Sequence, residues 1–257
     1  MQYWPSSELA RGGPTMPRTL ASVPPLDDPA YTTPIYHRPE VARLIGIRPN
    51  TLRNWAKGYI IKRPGRYDTS SKALITTIPT ANGRGPSIPF VGLAESYMLA
   101  AFRQAGVPMQ RIRPALRRLE EQIGLPQALA SEQLMTDGAE VLWEYRETTD
   151  NPLEKEVVDE LVVLRNGQGV FREVVKDYLV RVSYEDGWAK VIHLPTWKNA
   201  DIFVDPRING GKPTVARRGI RVSDIIDRST AGESSEDLAY DYELEISEVE
   251  SIISGAA

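Results

Sequence analysis

Between residues 38 and 58 the apolar positions follow a helical period twice, with a break between the two runs. In the first run Val41, Leu44 and Ile45 recur at i, i+3 and i+4, so one stripe of a short helix is buried. Pro39 suits the first turn of that helix, and Glu40 stands near the positive end of its dipole. Gly46 ends it and permits a sharp turn; Pro49 then opens a second helix that Gly58 closes. In the second helix Leu52, Trp55 and Ala56 share one face, and Asn50, Arg53, Asn54 and Lys57 share the other. A short helix buried on one side and carrying amide and guanidinium groups on the other suits the major groove of DNA. There Arg pairs bidentately with guanine and Asn with adenine.

The pattern then changes period. Tyr59-Ile60-Ile61 and Ala73 to Ile78 read as two β-runs around a basic turn with Lys62, Arg63 and Arg66, and a loop at 82–85 leads to Ser87-Ile88-Pro89-Phe90. This is a small wing with basic tips, suited to neutralising phosphates without reading bases. Helical spacing returns over Leu93–Ala105 and again from near Pro108, where Met109, Ile112, Leu116, Leu119 and Ile123 share a face and Pro114 lies opposite. Arg111, Arg113, Arg117 and Arg118 flank that stripe. Over 125–200 the alternation of Val141, Trp143 and Tyr145 with Glu140, Leu142 and Glu144 predicts a strand. Leu161–Leu164 is a short apolar run before the turn Asn166-Gly167, and Phe171–Val175 reads as one helical turn. Tyr178–Tyr184 and Trp188–Leu194 flank Glu185-Asp186-Gly187, a hairpin signal. Three short helices follow Val222, with Ser234 as a cap and Ser247-Glu248-Val249-Glu250 as a capping box. The expected fold class is α+β. It comprises an N-terminal winged helix-turn-helix, a middle β-rich segment and a C-terminal three-helix bundle, itself of helix-turn-helix shape. The expected divisions are a flexible tail at 1–33, where six prolines and few aliphatics leave little to bury, then 34–124, 125–200 and 201–257.

Charge sharpens this division. Residues 34–118 carry 15 Lys/Arg against three acids, and residues 119–257 carry 14 against 28. One half is therefore suited to a polyanion and the other is not. In the C-terminal helices ten acids, among them Asp224, Asp227, Glu236, Asp237 and Glu245, face Arg228 alone, so that second helix-turn-helix shape would repel phosphates and suits a protein partner. There are no cysteines and only two histidines, His37 and His193. This excludes disulfides, thiolate metal sites, cysteine nucleophiles and a three-histidine metal site; neither metal nor cofactor is expected. No apolar run approaches the ~18 residues of a membrane span and no signal peptide is seen, so a cytoplasmic protein is expected, without a membrane partner. The acid pairs Glu120-Glu121 and Glu185-Asp186 read as solvated, and Ser223, Ser234 and Ser247 as helix caps. No enzyme is expected.

Two resemblances follow from these motifs. The pieces EVARLIGIRPNTLRNWAKG, the wing, and FVGLAESYMLAAFRQAGVPMQRIRPALRRL, with its step Gly106-Val107-Pro108, make residues 34–124 similar to the winged helix-turn-helix of MerR-family regulators. The wing is longer than usual, the long coiled-coil dimerisation helix is absent, and no effector-binding cysteines exist. Asp205 to Ile253, with DPRINGGKPTV, IRVSDII and DYELEISEVE, resembles the small helical domain of unknown function found in VapB-type antitoxins. Its RRGIRV stands where that family more often has GTRIPV. This resemblance implies a cognate toxin with a PIN-like ribonuclease fold. The expected function is an antitoxin that neutralises the toxin by direct binding and autoregulates its operon as a homodimer, or as a higher hetero-oligomer with toxin, on double-stranded operator DNA. The expected DNA-binding residues are Arg48, Asn50, Thr51, Arg53, Asn54, Lys57, Lys62, Arg63 and Arg66. The expected toxin-binding residues are Arg217, Arg218 and Arg221, whose guanidinium groups could pair with the toxin's metal-binding carboxylates. The alternatives are a stand-alone MerR-like regulator with a small ligand in its middle segment, and an adaptor whose basic half binds RNA.

Overall fold

The structure, a computed structural model, describes residues 28–61, 69–80, 83, 85–109, 111–124, 127–166 and 168–256. Its axis is a helix buried along all but its last turn. In FVGLAESYMLAAFRQ apolar residues occupy every side, and every residue from Phe90 to Phe102 is buried. Numbered in chain order, the helices before it are α1 (Pro29–Thr32), α2 (Arg38–Leu44) and α3 (Pro49–Lys57), followed by strands β1 (Tyr59–Ile61) and β2 (Thr69–Ser71). The buried helix is α4 (Phe90–Gln104), and α5 (Arg113–Ile123) closes the N-terminal portion.

The middle portion holds α6 (Glu132–Thr136), α7 (Gly138–Thr148), α8 (Pro152–Asp159), a hairpin of β3 (Val162–Arg165) with β4 (Gln168–Phe171), and α9 (Glu173–Leu179). Strands β5 (Val182–Glu185), β6 (Trp188–His193), β7 (Ile202–Val204), β8 (Thr214–Val215) and β9 (Ile220–Arg221) form one antiparallel sheet in that order. The chain ends in α10 (Val222–Thr230), α11 (Ser235–Tyr242) and α12 (Ile246–Ala256). Their shared core is Ile225, Leu238, Val249 and Ile252, each fully buried. The mixed α+β class and the C-terminal bundle are as expected, and α4 packs against α1, α9 and β6, so the middle portion shares its core with the N-terminal one.

Several expectations are corrected. The middle segment holds more helix than strand: the strand predicted around Val141, Trp143 and Tyr145 is α7. Its buried set, Gly138, Ala139, Val141 and Leu142, follows the period of 3.6, and the period of two was a coincidence of Trp143 and Tyr145, both only half-buried. Likewise α9 continues through Tyr178 to Leu179, and the strand after it starts only at Val182. The helix predicted from near Pro108 starts at Arg113, with Pro114 in its first turn, where no backbone donor is needed. In α12 Ser247 is not the cap. The helix begins at Ile246, and the Glu248 carboxylate accepts from the backbone N–H of Glu245 at 2.8 Å. The tail expectation falls mostly on residues 1–27, outside the described residues, but 28–33 pack onto the body. Asp28 caps α1 and pairs with Lys190, Ala30 is buried, and Tyr31 meets Trp188 edge-on at 5.6 Å.

Candidate nucleic-acid interface

The helix pair forms as its pattern demands. Pro39 and Pro49 sit in the first turns of α2 and α3, and Glu40 accepts from the His37 backbone N–H at 3.2 Å, tying down the start of α2. The turn between the helices needs Gly46 at φ +68°, a left-handed conformation costly for residues with a Cβ. Val41, Leu44, Ile45, Leu52, Trp55 and Ala56 are buried between the helices and within the common core. Burying that face leaves Asn50, Arg53, Asn54 and Lys57 exposed along the outer side of α3, with Arg48 exposed just before it.

Thr51 is placed differently. It is half-buried, and its hydroxyl accepts from Arg103 Nη1 at 3.1 Å. Arg103, in the last turn of α4, was missed from sequence because it is 52 residues away from its partner. The two line a groove of about 190 Å³ with Asn54, Trp55, Leu74, Met109 and Arg113, so the flank of α3 is cationic as well. Of the arginines flanking α5, Arg111 is paired with Glu156 at 3.1 Å and turned to the middle portion. Strands β1 and β2 pair antiparallel, from Tyr59 opposite Ser71 to Ile61 opposite Thr69, as a wing requires. Lys62, Arg63 and Arg66 lie outside the described residues. The predicted second run at Ala73–Ile78 joins no ladder. Its donors go elsewhere: Leu74 N–H to the Trp55 carbonyl at 2.7 Å, and Thr76 N–H to the Glu95 carboxylate at 2.5 Å.

Glu95 is the residue sequence reading left without a role. It lies 4 % exposed in the middle of α4, and its second oxygen meets Thr76 Oγ1 at 3.2 Å. Burial pushes its pKa up to about 8 despite those hydrogen bonds, with Glu120 adding in the same direction. It fastens the segment arriving from the wing onto the central helix.

A second set of contacts joins the helix pair to the motif DPRINGGKP. Tyr36 Oη, fully buried, donates to the Gly211 carbonyl at 2.6 Å. Lys212 Nζ donates to Glu40 at 2.8 Å and to the Ile35 carbonyl at 3.3 Å, and Thr196 Oγ1 donates to the Leu44 carbonyl at 2.7 Å. Gly211 has φ +75°, and a Cβ there would lie 2.5 Å from Ile35 Cδ1. Asp205, 4 % exposed, holds Arg207, which also reaches Glu185 at 2.7 Å. The acid of α2 is thus tied to Lys212, and the outward surface of α2 and α3 keeps its cationic character.

The three C-terminal arginines do not converge on one point. Arg217 lies 3.7 Å from Glu245 and 3.6 Å from Glu248, Arg218 is paired with Glu243, and Arg221 meets Asp224 at 3.2 Å. All three are exposed, so these pairs contribute about 0–1 kcal/mol each and exchange partners cheaply.

A helix pair with one face in the core and a row of Arg, Asn and Lys on the other defines a helix-turn-helix DNA-binding protein. The family described as "Putative DNA-binding HTH domain" matches residues 34–116, and "Protein of unknown function (DUF433)" matches 202–254. The chain is 41 % identical over 214 residues to a Mycobacterium tuberculosis protein named "Putative antitoxin VapB45", covering 82 % of this chain and 89 % of that one. It is 28 % identical over 225 residues to an uncharacterized protein of the same organism, Rv2308, covering 85 % and 88 %. The crystal structure of Rv2018 from M. tuberculosis superposes with a TM-score of 0.74 at 38 % identity, over 86 % of this chain and 97 % of that one. The chain belongs to the VapB-type antitoxin family, with DNA binding and transcription regulation among its roles. Among the described residues no helix is long and apolar enough to cross a membrane.

Proposed function

We propose that this protein silences a PIN-like ribonuclease toxin by direct binding and represses its own operon from an operator that α3 reads. The observation that carries the DNA half is the exposed row Asn50, Arg53, Asn54 and Lys57 on a helix whose other face is buried. Asn50, Arg53 and Asn54 are the base-reading groups of a MerR-like winged helix; Arg48, Lys57 and the wing residues Lys62, Arg63 and Arg66 hold phosphates, and Arg103 holds Thr51 at the flank. Two copies on a palindrome multiply affinity and specificity. The acidic C-terminal helices keep their half off DNA and leave it to the toxin, toward which Arg217, Arg218 and Arg221 supply guanidinium groups. The work is cytoplasmic.

The experiment is a titration of the full chain against its own promoter and a scrambled duplex at fixed salt. Arg53→Ala and Asn54→Ala should each cost about 1–3 kcal/mol on the promoter and erode its advantage over the scrambled duplex. Lys57→Ala should weaken both duplexes alike and reduce the salt dependence by about one phosphate contact. Equal affinity of the native chain for both duplexes would overturn the operator reading.

A further inference from the structure

A groove of about 380 Å³ runs between α2 and α10, where the helix pair meets the C-terminal portion. Its floor is apolar: Leu44 from α2, Trp197, Pro213, and Val222 and Ile226 from α10. Its charged lining is three cations, Arg43, Lys212 and Arg221, and one acid, Glu40. Lys212 is paired with Glu40 and Arg221 with Asp224, while Arg43 is exposed and has no ion pair among the described residues. The walls are fixed by the bonds of Tyr36 to Gly211, Lys212 to Glu40 and Thr196 to Leu44, so the groove exists before anything enters it.

We propose that this groove is where the toxin docks, through a segment that places an apolar side chain beside a carboxylate; the assignment rests on the antitoxin reading above. Charge selects the occupant. The C-terminal half of the chain carries twice as many acids as bases, so an acidic residue of a partner is repelled over most of that surface. At the groove Lys212 offsets Glu40 and Arg221 offsets Asp224, so Arg43, from the basic half and with no ion pair among the described residues, leaves the mouth with an excess of positive charge. A carboxylate held at that mouth steers the partner, and an apolar side chain filling the floor supplies the desolvated anchor that dominates interface energies. The volume suits a few side chains rather than a whole helix. Docking here puts the toxin on α2, next to the reading helix, while the outer face of α3 stays open. Of the three candidate arginines only Arg221 lines the groove; Arg217 and Arg218 stand outside it, paired at the turn that enters α12.

The test uses the full chain and the purified product of the neighbouring toxin gene. Ile226→Glu places an acid in the floor and Arg221→Glu reverses a mouth charge. Each should weaken the complex about 10–100-fold, while Arg221→Lys keeps it within about threefold and operator affinity holds in all three. Arg221 is exposed, so its reversal reports even if Ile226→Glu fails to fold. A native chain that binds the toxin with affinity unchanged by Arg221→Glu overturns the groove alone, as does a complex sensitive only to Tyr240→Ala, which removes an exposed ring on α11 away from the groove lining. A native chain that forms no complex overturns the antitoxin reading and the groove together.

Discussion

The native protein should lose stability as the pH rises from about 4.5 to 8, and Glu95→Gln should remove that dependence. Glu95 ordinarily titrates near 4.5, and burial within α4 pushes it up to about 8. Between those values the folded protein holds a proton that the unfolded chain has released, so raising the pH favours unfolding by up to roughly 1.4 kcal/mol per unit. Below about 4.5 both states are protonated and above about 8 both are ionised, so this contribution is complete in acid and lost by about pH 8. A glutamine there can accept from Thr76 N–H and donate to Thr76 Oγ1, keeping both contacts without the charge. The variant should therefore melt higher than the native chain at pH 8, with the difference shrinking toward pH 5. Parallel melting profiles of the two proteins across that range would rule out a buried, proton-holding Glu95.

Phe102→Ala should be among the most damaging single truncations. Phe102 is fully buried at the end of α4 and stacks on Phe171 of β4, ring centroids 6.4 Å apart. Removing a fully buried ring costs about 3–5 kcal/mol, a large share of the roughly 5–15 kcal/mol that typically holds a fold together. One core spans the N-terminal and middle portions, so the loss should appear as a single melting transition lowered by about 10 °C. Promoter binding should fail at temperatures where the native chain still binds, although Phe102 is fully buried and not one of the exposed residues of α3. A helix pair that melts unperturbed while the middle portion unfolds would show that α4 does not join them.

How far the sequence could be read follows from where the determining interactions lie. The helix pair was legible because its limits are local: two prolines, two glycines and two 3.6-residue stripes specify it without reference to the remainder of the chain. The C-terminal helices were legible on the same grounds. Helix α7 was not, because alternate apolar residues fit a strand until the burial of Gly138, Ala139 and Leu142 is known. The contacts that place the site were out of reach: Tyr36 with Gly211 spans 175 residues and Lys212 with Glu40 spans 172. The motif DPRINGGKP was visible as a pattern, but its part in holding the helix pair emerges only when Gly211 is seen against Ile35 and Tyr36. Thr51 was expected on the DNA from its place on the helix, and Arg103 is what its hydroxyl meets.

The central claim is that reading DNA and silencing the toxin use different parts of one chain. The most direct measurement is growth during co-expression with the neighbouring toxin gene, compared between the native chain, Arg53→Ala/Asn54→Ala, and Arg217→Ala/Arg218→Ala/Arg221→Ala. The account predicts that the native chain and the α3 double variant rescue growth and that the triple arginine variant does not. Failure of the α3 variant to rescue, or full rescue by the triple variant, would contradict it.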